Sequence, residues 1–158
     1  MLSELFKNLP PENLQAMRDN MRNLMAEAGL PYGDRTMTYN SRLAQELGYW
    51  ADTQEGGETL HDLLFKAYFV ENVNINDHAV LIDLACKAGL DGTEAARILE
   101  GRVYSPQVNS DWERASKEGV TGVPTFTAMD LHVVGCQPYE VLERFVSHLR
   151  ELQASPDN

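Results

Sequence analysis

The fold is decided by one stretch of the chain, Gly119-Val120-Thr121-Gly122-Val123-Pro124-Thr125-Phe126. Two glycines precede a proline that stands at the mouth of a β-rich run. Proline has no N–H, so it is tolerated at the first position of a strand or on a sheet edge. Only about 5–6% of X–Pro bonds in folded proteins are cis, and these residues alone leave the isomer of Val123–Pro124 open.

Downstream of this stretch the sequence predicts a β-hairpin and a final helix. Two short β-rich runs, residues 125–128 and 131–134, flank the dipeptide Met129-Asp130. Met-Asp is a poor match to the primed turns that hairpins favour, so the geometry of the turn stays open. The last helix begins near Gln137-Pro138. We expect its apolar side chains to face inward: Val141, Leu142, Phe145, Leu149 and Leu152.

Upstream, apolar residues recur every three or four positions, which is typical of amphipathic helices. Prolines, glycines and capping residues divide this part into six helices, near residues 10–29, 40–51, 58–70, 77–89, 91–101 and 105–119. The first carries the methionine stripe Met17, Met21 and Met25, which we expect to pack into the core. In the second, the predicted inward face holds Leu43, Ala44, Leu47, Trp50 and Ala51.

Length and charge limit the classes of function. The chain has 158 residues and a formal net charge of −11, from 13 Lys and Arg against 24 Asp and Glu. A length of this order favours one domain with a sizeable core. The acidic surface would repel nucleic acid and anionic membranes. No apolar run has the length of a signal peptide or a membrane span, so we expect a cytoplasmic protein with reduced thiols.

The candidate reactive side chains are few. Cys86 and Cys136 are fifty residues apart and form no CxxC pair or Cys/His cluster, which excludes zinc-ribbon and zinc-finger sites. Cys86 is expected to be a small buried apolar residue, and Cys136 to be structural. The four histidines are dispersed and show no ligand spacing. The sequence therefore predicts no metal, no cofactor and no catalytic residue.

The order of elements around residues 119–126 resembles the C-terminal half of a thioredoxin fold. More closely, the chain resembles the DsbA family, in the FrnE-like branch that includes relatives of 2-hydroxychromene-2-carboxylate isomerase. Three stretches add to this likeness: Asn40-Ser41-Arg42-Leu43-Ala44, then Leu64-Phe65-Lys66-Ala67-Tyr68-Phe69 with Asn74-Ile75-Asn76-Asp77, and Gly135-Cys136-Gln137-Pro138. The resemblance covers the chain from about residue 14 to residue 146.

The resemblance implies an α/β, mostly helical, DsbA-type thioredoxin-like fold. It implies a single domain over residues 1–158, with a helical subdomain at about 40–100 and a hairpin and helix at about 120–153. It also implies that Val123-Pro124 is a cis-proline loop that binds substrate beside a redox site. The family's first strand, CxxC and following helix have no counterpart before Leu14, so the N-terminal half is expected to be incomplete.

Three functions are compatible with this likeness. The first is a thiol–disulfide oxidoreductase by descent, inactive in this chain because the CxxC is missing. The second is a non-catalytic dimerising or peptide-binding module. The third is a glutathione-dependent isomerase or transferase of the same fold. The resemblance implies a thiol or peptide as the substrate.

We expect the chain to form a homodimer. In a complete sheet, the strand Thr125–Ala128 would have a neighbour on both sides, and the first strand is missing here. An uncovered strand edge exposes unpaired backbone N–H and C=O groups. We expect the same edge of a second copy to cover it. The alternative is burial of the edge by the segment Met1–Leu9, which holds Leu2, Leu5, Phe6 and Leu9.

Overall fold

The computed structural model describes residues 10–35 and 37–154. In these ranges the chain forms seven helices and one two-stranded sheet. They are α1 (Pro11–Glu27), α2 (Arg42–Ala51), α3 (Glu58–Phe69), α4 (His78–Lys87), α5 (Gly92–Gly101), α6 (Ser105–Lys117), β1 (Thr125–Ala128), β2 (Leu131–Val134) and α7 (Tyr139–Ala154). The order of elements is the predicted one, and the two strands have the predicted bounds.

Two helix starts owe their position to aspartate caps. The Asp77 carboxylate accepts hydrogen bonds from the backbone N–H groups of Ala79 and Val80, and α4 begins at the next residue. Asp91 caps α5 in the same way through Thr93 and Glu94. Such caps satisfy N–H groups that have no partner within the helix. The predicted helices near residues 77–89 and 91–101 begin at these positions.

The chain divides into two compact units, Met1–Asn109 and Ser110–Asn158, which we call the helical unit and the hairpin unit. The single domain implied by the resemblance stays a prediction. The segment Met1–Leu9, proposed above as a cover for the strand edge, lies outside the described residues. Among the described helices, none combines the length and the apolar character needed to cross a membrane.

The hydrophobic core lies in the helical unit. Side chains from α2, α3, α4 and α5 pack together there, and the predicted inward face of α2 is fully buried. In the described part of the hairpin unit, by contrast, no residue reaches full burial. The predicted inward residues of α7 are at most half-buried, and Leu152 is exposed. Val141, Leu142, Phe145 and Leu149 are nevertheless the partly buried residues of α7, so the predicted inward face is confirmed for these four and is wrong for Leu152.

The methionine stripe on α1 also departs from expectation. Met17 and Met21 are 48% and 42% exposed, so they do not belong to the core. Helical periodicity identifies the apolar face of a helix, but another element must pack on that face before it is buried. The buried cluster is built from α2 to α5 instead, because those helices pack against one another.

One charged side chain is enclosed in this core. Glu46 of α2 is 0% exposed and accepts two hydrogen bonds from Arg102, from Nε at 2.8 Å and from Nη2 at 2.5 Å. These bonds raise the pKa of the Arg102 guanidinium above its ordinary value. Arg102 caps the C-terminus of α5 in the left-handed conformation, at φ 49°. Glycine is the usual residue at a left-handed helix cap. An arginine occupies this cap because its guanidinium is needed to bond the buried Glu46 carboxylate.

The hairpin forms without the residues that its turn favours. Its register pairs Thr125 with Val134, Phe126 with Val133, Thr127 with His132 and Ala128 with Leu131. Both residues of the connection have positive φ, 49° at Met129 and 64° at Asp130, the combination that a type I′ turn requires. Asparagine and glycine adopt this conformation at lower cost than methionine.

Removing the arginine partner of Glu46 should destabilise the protein. Arg102→Ala leaves a buried carboxylate without its counter-charge. Because Arg102 is itself half-exposed and its removal admits water, we expect a loss of about 2–3 kcal/mol in the free energy of unfolding. Urea denaturation measures this loss. The matched control is Arg97→Ala, which removes an exposed Arg97–Glu94 pair on the same helix and should change stability far less. Equal effects of the two substitutions would contradict this role of Glu46.

Replacing the turn residues should stabilise the hairpin unit. Met129→Asn combined with Asp130→Gly supplies the sequence that a type I′ turn favours. We expect a gain of about 1 kcal/mol, since each non-glycine residue pays about 1–2 kcal/mol in the left-handed conformation and aspartate somewhat less. Thermal unfolding followed by circular dichroism measures the gain. Met129→Ala leaves a non-glycine residue in the left-handed conformation, so we expect it to give no gain in stability.

Candidate functional site

The Val123-Pro124 loop is held from both sides by hydrogen bonds. On the upstream side, Gly119 follows the end of α6 with φ +70°, and its N–H donates to the Ser116 carbonyl at 3.1 Å. On the downstream side, the Pro124 carbonyl accepts from the Gly135 N–H at 2.8 Å, which continues the hairpin by one residue pair. The loop is therefore a fixed connection between α6 and β1.

A further bond closes the loop on itself. The Thr125 hydroxyl donates to the Gly122 carbonyl at 2.7 Å. The peptide bond between Val123 and Pro124 is cis. Val123 is 88% exposed, and Pro124 is exposed as well. The site is thus an anchored backbone segment with an apolar residue projecting into solvent.

Cys136 lies at the same end of the hairpin as this loop. It directly follows Gly135, the residue bonded to Pro124, and its side chain is exposed. Cys86 lies on α4 in the helical unit and is also exposed, so the expectation of a buried Cys86 was wrong. The reason is its position next to Ala85: successive helical residues are turned by about 100°, and Leu81, Leu84 and Ala85 take the inward positions.

Other parts of the described chain offer less. A shallow depression of about 390 Å³ lies at the turn end of the hairpin, away from the loop. Its lining comes from the end of α6 and from the strands: Lys117, Glu118, Thr127, Ala128, Met129, Asp130 and His132. Over residues 10–35 and 37–154, no group of three or more His, Cys, Asp or Glu is placed to hold a metal ion. The anchored loop is therefore the candidate site.

The order of α6, the Val123-Pro124 loop, the hairpin and α7 agrees with the C-terminal half of a thioredoxin-like fold. Residues 3–147 match the DSBA-like thioredoxin domain, and the chain belongs to that family. This confirms the family and the mostly helical thioredoxin-like fold that the sequence predicts. The role of Val123 and Pro124 in substrate binding stays a prediction.

Individual relatives agree with this assignment. The chain is 33% identical over 106 residues to the uncharacterized protein YwbO of Bacillus subtilis, a match that spans 66% of this chain and 53% of YwbO. It is similar to the structure of a probable DsbA oxidoreductase from Streptomyces coelicolor, with 30% identity and a TM-score of 0.72, over 100% of this chain and 67% of the other. The chain thus spans about half the length of the curated relative it matches.

The fold is also shared with an isomerase. The structure of a 2-hydroxychromene-2-carboxylate isomerase aligns with 99% of this chain and 79% of its own length, at a TM-score of 0.71. The identity is 18%, so this likeness concerns the fold alone. The structural neighbours thus include a probable DsbA oxidoreductase and an isomerase of the kind named in the resemblance.

Both thiols should react in the native state. Cys86 and Cys136 are exposed, and thiol reagents act on accessible thiolates. We expect two equivalents of thiol per chain to titrate with Ellman's reagent without denaturant. Cys86→Ser and Cys136→Ser should each remove one equivalent. A single reactive thiol in the native wild-type protein would contradict the exposure of one of them.

Proposed function

We propose that this DsbA-family protein uses the Val123-Pro124 loop to bind an extended peptide or thiol compound through its backbone. The observation that carries the proposal is the anchored loop at Val123, a residue that is 88% exposed. An extended ligand running beside such a segment gains main-chain hydrogen bonds, and these do not depend on the ligand's sequence. The apolar Val123 side chain adds a contact surface.

The proposal includes no disulfide exchange by this chain. Its two cysteines are fifty residues apart in sequence and form no vicinal pair. A dithiol resolves a mixed disulfide within one molecule, whereas a lone thiol needs a second thiol compound for that step. The family membership supports descent from oxidoreductases, and the described site supports the binding part of their function.

Backbone recognition can be separated from side-chain recognition at Val123. Val123→Pro removes the N–H donor of this residue, while Val123→Ala keeps it. Because one hydrogen bond contributes about 0.5–1.5 kcal/mol, we expect Val123→Pro to weaken binding by about 3–10-fold and Val123→Ala to leave it within about twofold. The probe is an unstructured peptide with one cysteine, titrated by isothermal calorimetry.

The same titration tests the alternatives. Reduced glutathione replaces the peptide as a second probe, since a glutathione-dependent isomerase or transferase would bind it. No measurable binding of either compound at millimolar concentration would overturn the proposed function. Equal losses from both Val123 substitutions would show that recognition runs through the side chain and not the backbone.

Disulfide exchange should stay at background level. We expect no reduction of insulin by the wild-type chain in the presence of glutathione beyond the rate with glutathione alone. Turnover that disappears in Cys136→Ser, with Cys86→Ser unaffected, would reveal a mechanism with a single cysteine next to the loop. Turnover that survives both substitutions together would place the chemistry on other groups.

A further inference from the structure

Two residues at the end of β2 hold the Val123-Pro124 loop. The Gly135 N–H donates to the Pro124 carbonyl at 2.8 Å. The Val134 side chain reaches the upstream part of the loop, because its Cγ1 lies 3.8 Å from the position that a Cβ at Gly122 would occupy. The dipeptide Val134-Gly135 therefore contacts the loop on both sides of Val123. Whatever fixes this dipeptide also fixes the loop.

The carbonyl of Val134 is bonded by a side chain from further along the chain. Hydrogen-bonded and non-hydrogen-bonded pairs alternate along an antiparallel ladder. The Gly135–Pro124 pair is hydrogen-bonded, so the next pair, Val134 with Thr125, is not. The Val134 carbonyl therefore points away from β1. There it accepts a hydrogen bond from Nε2 of Gln137 at 2.7 Å.

The Gln137 side chain also lies against Gly135. Its Nε2 is 3.6 Å from the position that a Cβ at residue 135 would take. Gly135 has φ +91°, a conformation that glycine adopts without a steric penalty. The change of chain direction at this glycine brings a side chain two residues later within reach of the Val134 carbonyl. Gln137 therefore fixes both of the residues that hold the loop.

The backbone next to Gln137 is itself fixed by the first turn of α7. The Pro138 carbonyl accepts hydrogen bonds from the N–H groups of Val141 at 3.0 Å and Leu142 at 3.4 Å. The ring of a proline also restricts its own φ to about −65°. The Gln137 side chain thus extends from a restrained backbone, so little conformational freedom is lost when its amide bonds to Val134.

We infer that Gln137 is a positioning residue for the Val123-Pro124 loop, and that its side-chain amide sets the affinity of the loop for its ligand. The amide acts through Val134 and Gly135 and needs no contact with the ligand. Without it, the end of β2 samples further positions and the loop spends less time in the arrangement that binds. Apparent affinity falls with the fraction of molecules in that arrangement. This inference deepens the proposed function and rests on it for the ligand.

Amide hydrogen exchange, measured by NMR without ligand, tests the hold on the loop. Gln137→Met keeps the length of the side chain and removes its donor. Because a neutral hydrogen bond is worth about a 3–10-fold change in an equilibrium constant, we expect the Gly135 N–H to exchange about 3–10-fold faster. The matched control Gln15→Met removes an exposed bond to Asp19 on α1 and should leave exchange at Gly135 unchanged. Equal exchange at Gly135 in the wild type and Gln137→Met would overturn the inference.

A second variant separates hydrogen bonding from packing. In Gln137→Glu, a carboxylate has no proton to donate to the Val134 carbonyl, whereas a protonated carboxyl has one. We expect Gly135 in this variant to exchange faster than in the wild type at about pH 6.5 and to approach the wild-type rate at about pH 3.5, below the ordinary pKa of a glutamate. Gln137→Met should remain faster at both values. No recovery in Gln137→Glu at the lower pH would contradict donation by the amide as the cause.

Calorimetry with the single-cysteine peptide tests the consequence for affinity. We expect Gln137→Met to weaken binding by about 2–5-fold, because a less ordered loop must be ordered when the ligand binds. Gln15→Met should bind as the wild type does. Unchanged affinity together with faster exchange at Gly135 would overturn the effect of Gln137 on affinity. No binding by the wild-type chain would instead overturn the proposed function, and exchange at Gly135 would still decide whether Gln137 holds the loop.

Discussion

The hydrogen bond between the Gly135 N–H and the Pro124 carbonyl sets the arrangement of everything at this end of the molecule. Proline offers a carbonyl but no N–H, so the ladder begins with a single bond at this pair. That one bond fixes which residues of β1 face β2 and which face outward. It also anchors the loop that presents Val123 to solvent. The candidate site is therefore a consequence of this pairing.

The two units satisfy their structural requirements differently. In the helical unit, four helices enclose an apolar cluster, and even the charge of Glu46 is enclosed because Arg102 provides two hydrogen bonds. In the hairpin unit, apolar side chains are present on β1, β2 and α7 but are at most half-buried. A two-stranded sheet by itself is marginally stable in water. The candidate binding loop therefore lies in the less buried unit.

Membership of the DSBA-like thioredoxin family relates these observations to function. The fold is common to oxidoreductases and to an isomerase among the structural neighbours, so the fold alone does not assign a reaction. This chain has an anchored loop at which Val123 is exposed. What it lacks in its own sequence is a vicinal cysteine pair. The proposed ligand binding therefore rests on the geometry of the Val123-Pro124 loop. Disulfide exchange within one molecule would need a thiol pair that Cys86 and Cys136 do not form.

The sequence by itself determined the succession of helices and the strand bounds, because these depend on local signals. It also determined the family, through several short motifs spread along the chain. It also identified the loop at Val123-Pro124. Only the tertiary structure decided burial: Met17, Met21 and Cys86 are exposed although their patterns predicted a core position. The enclosure of Glu46 by Arg102 joins residues 56 positions apart and puts an arginine in a left-handed cap. Burial depends on which elements pack together, and local patterns carry no information about that choice.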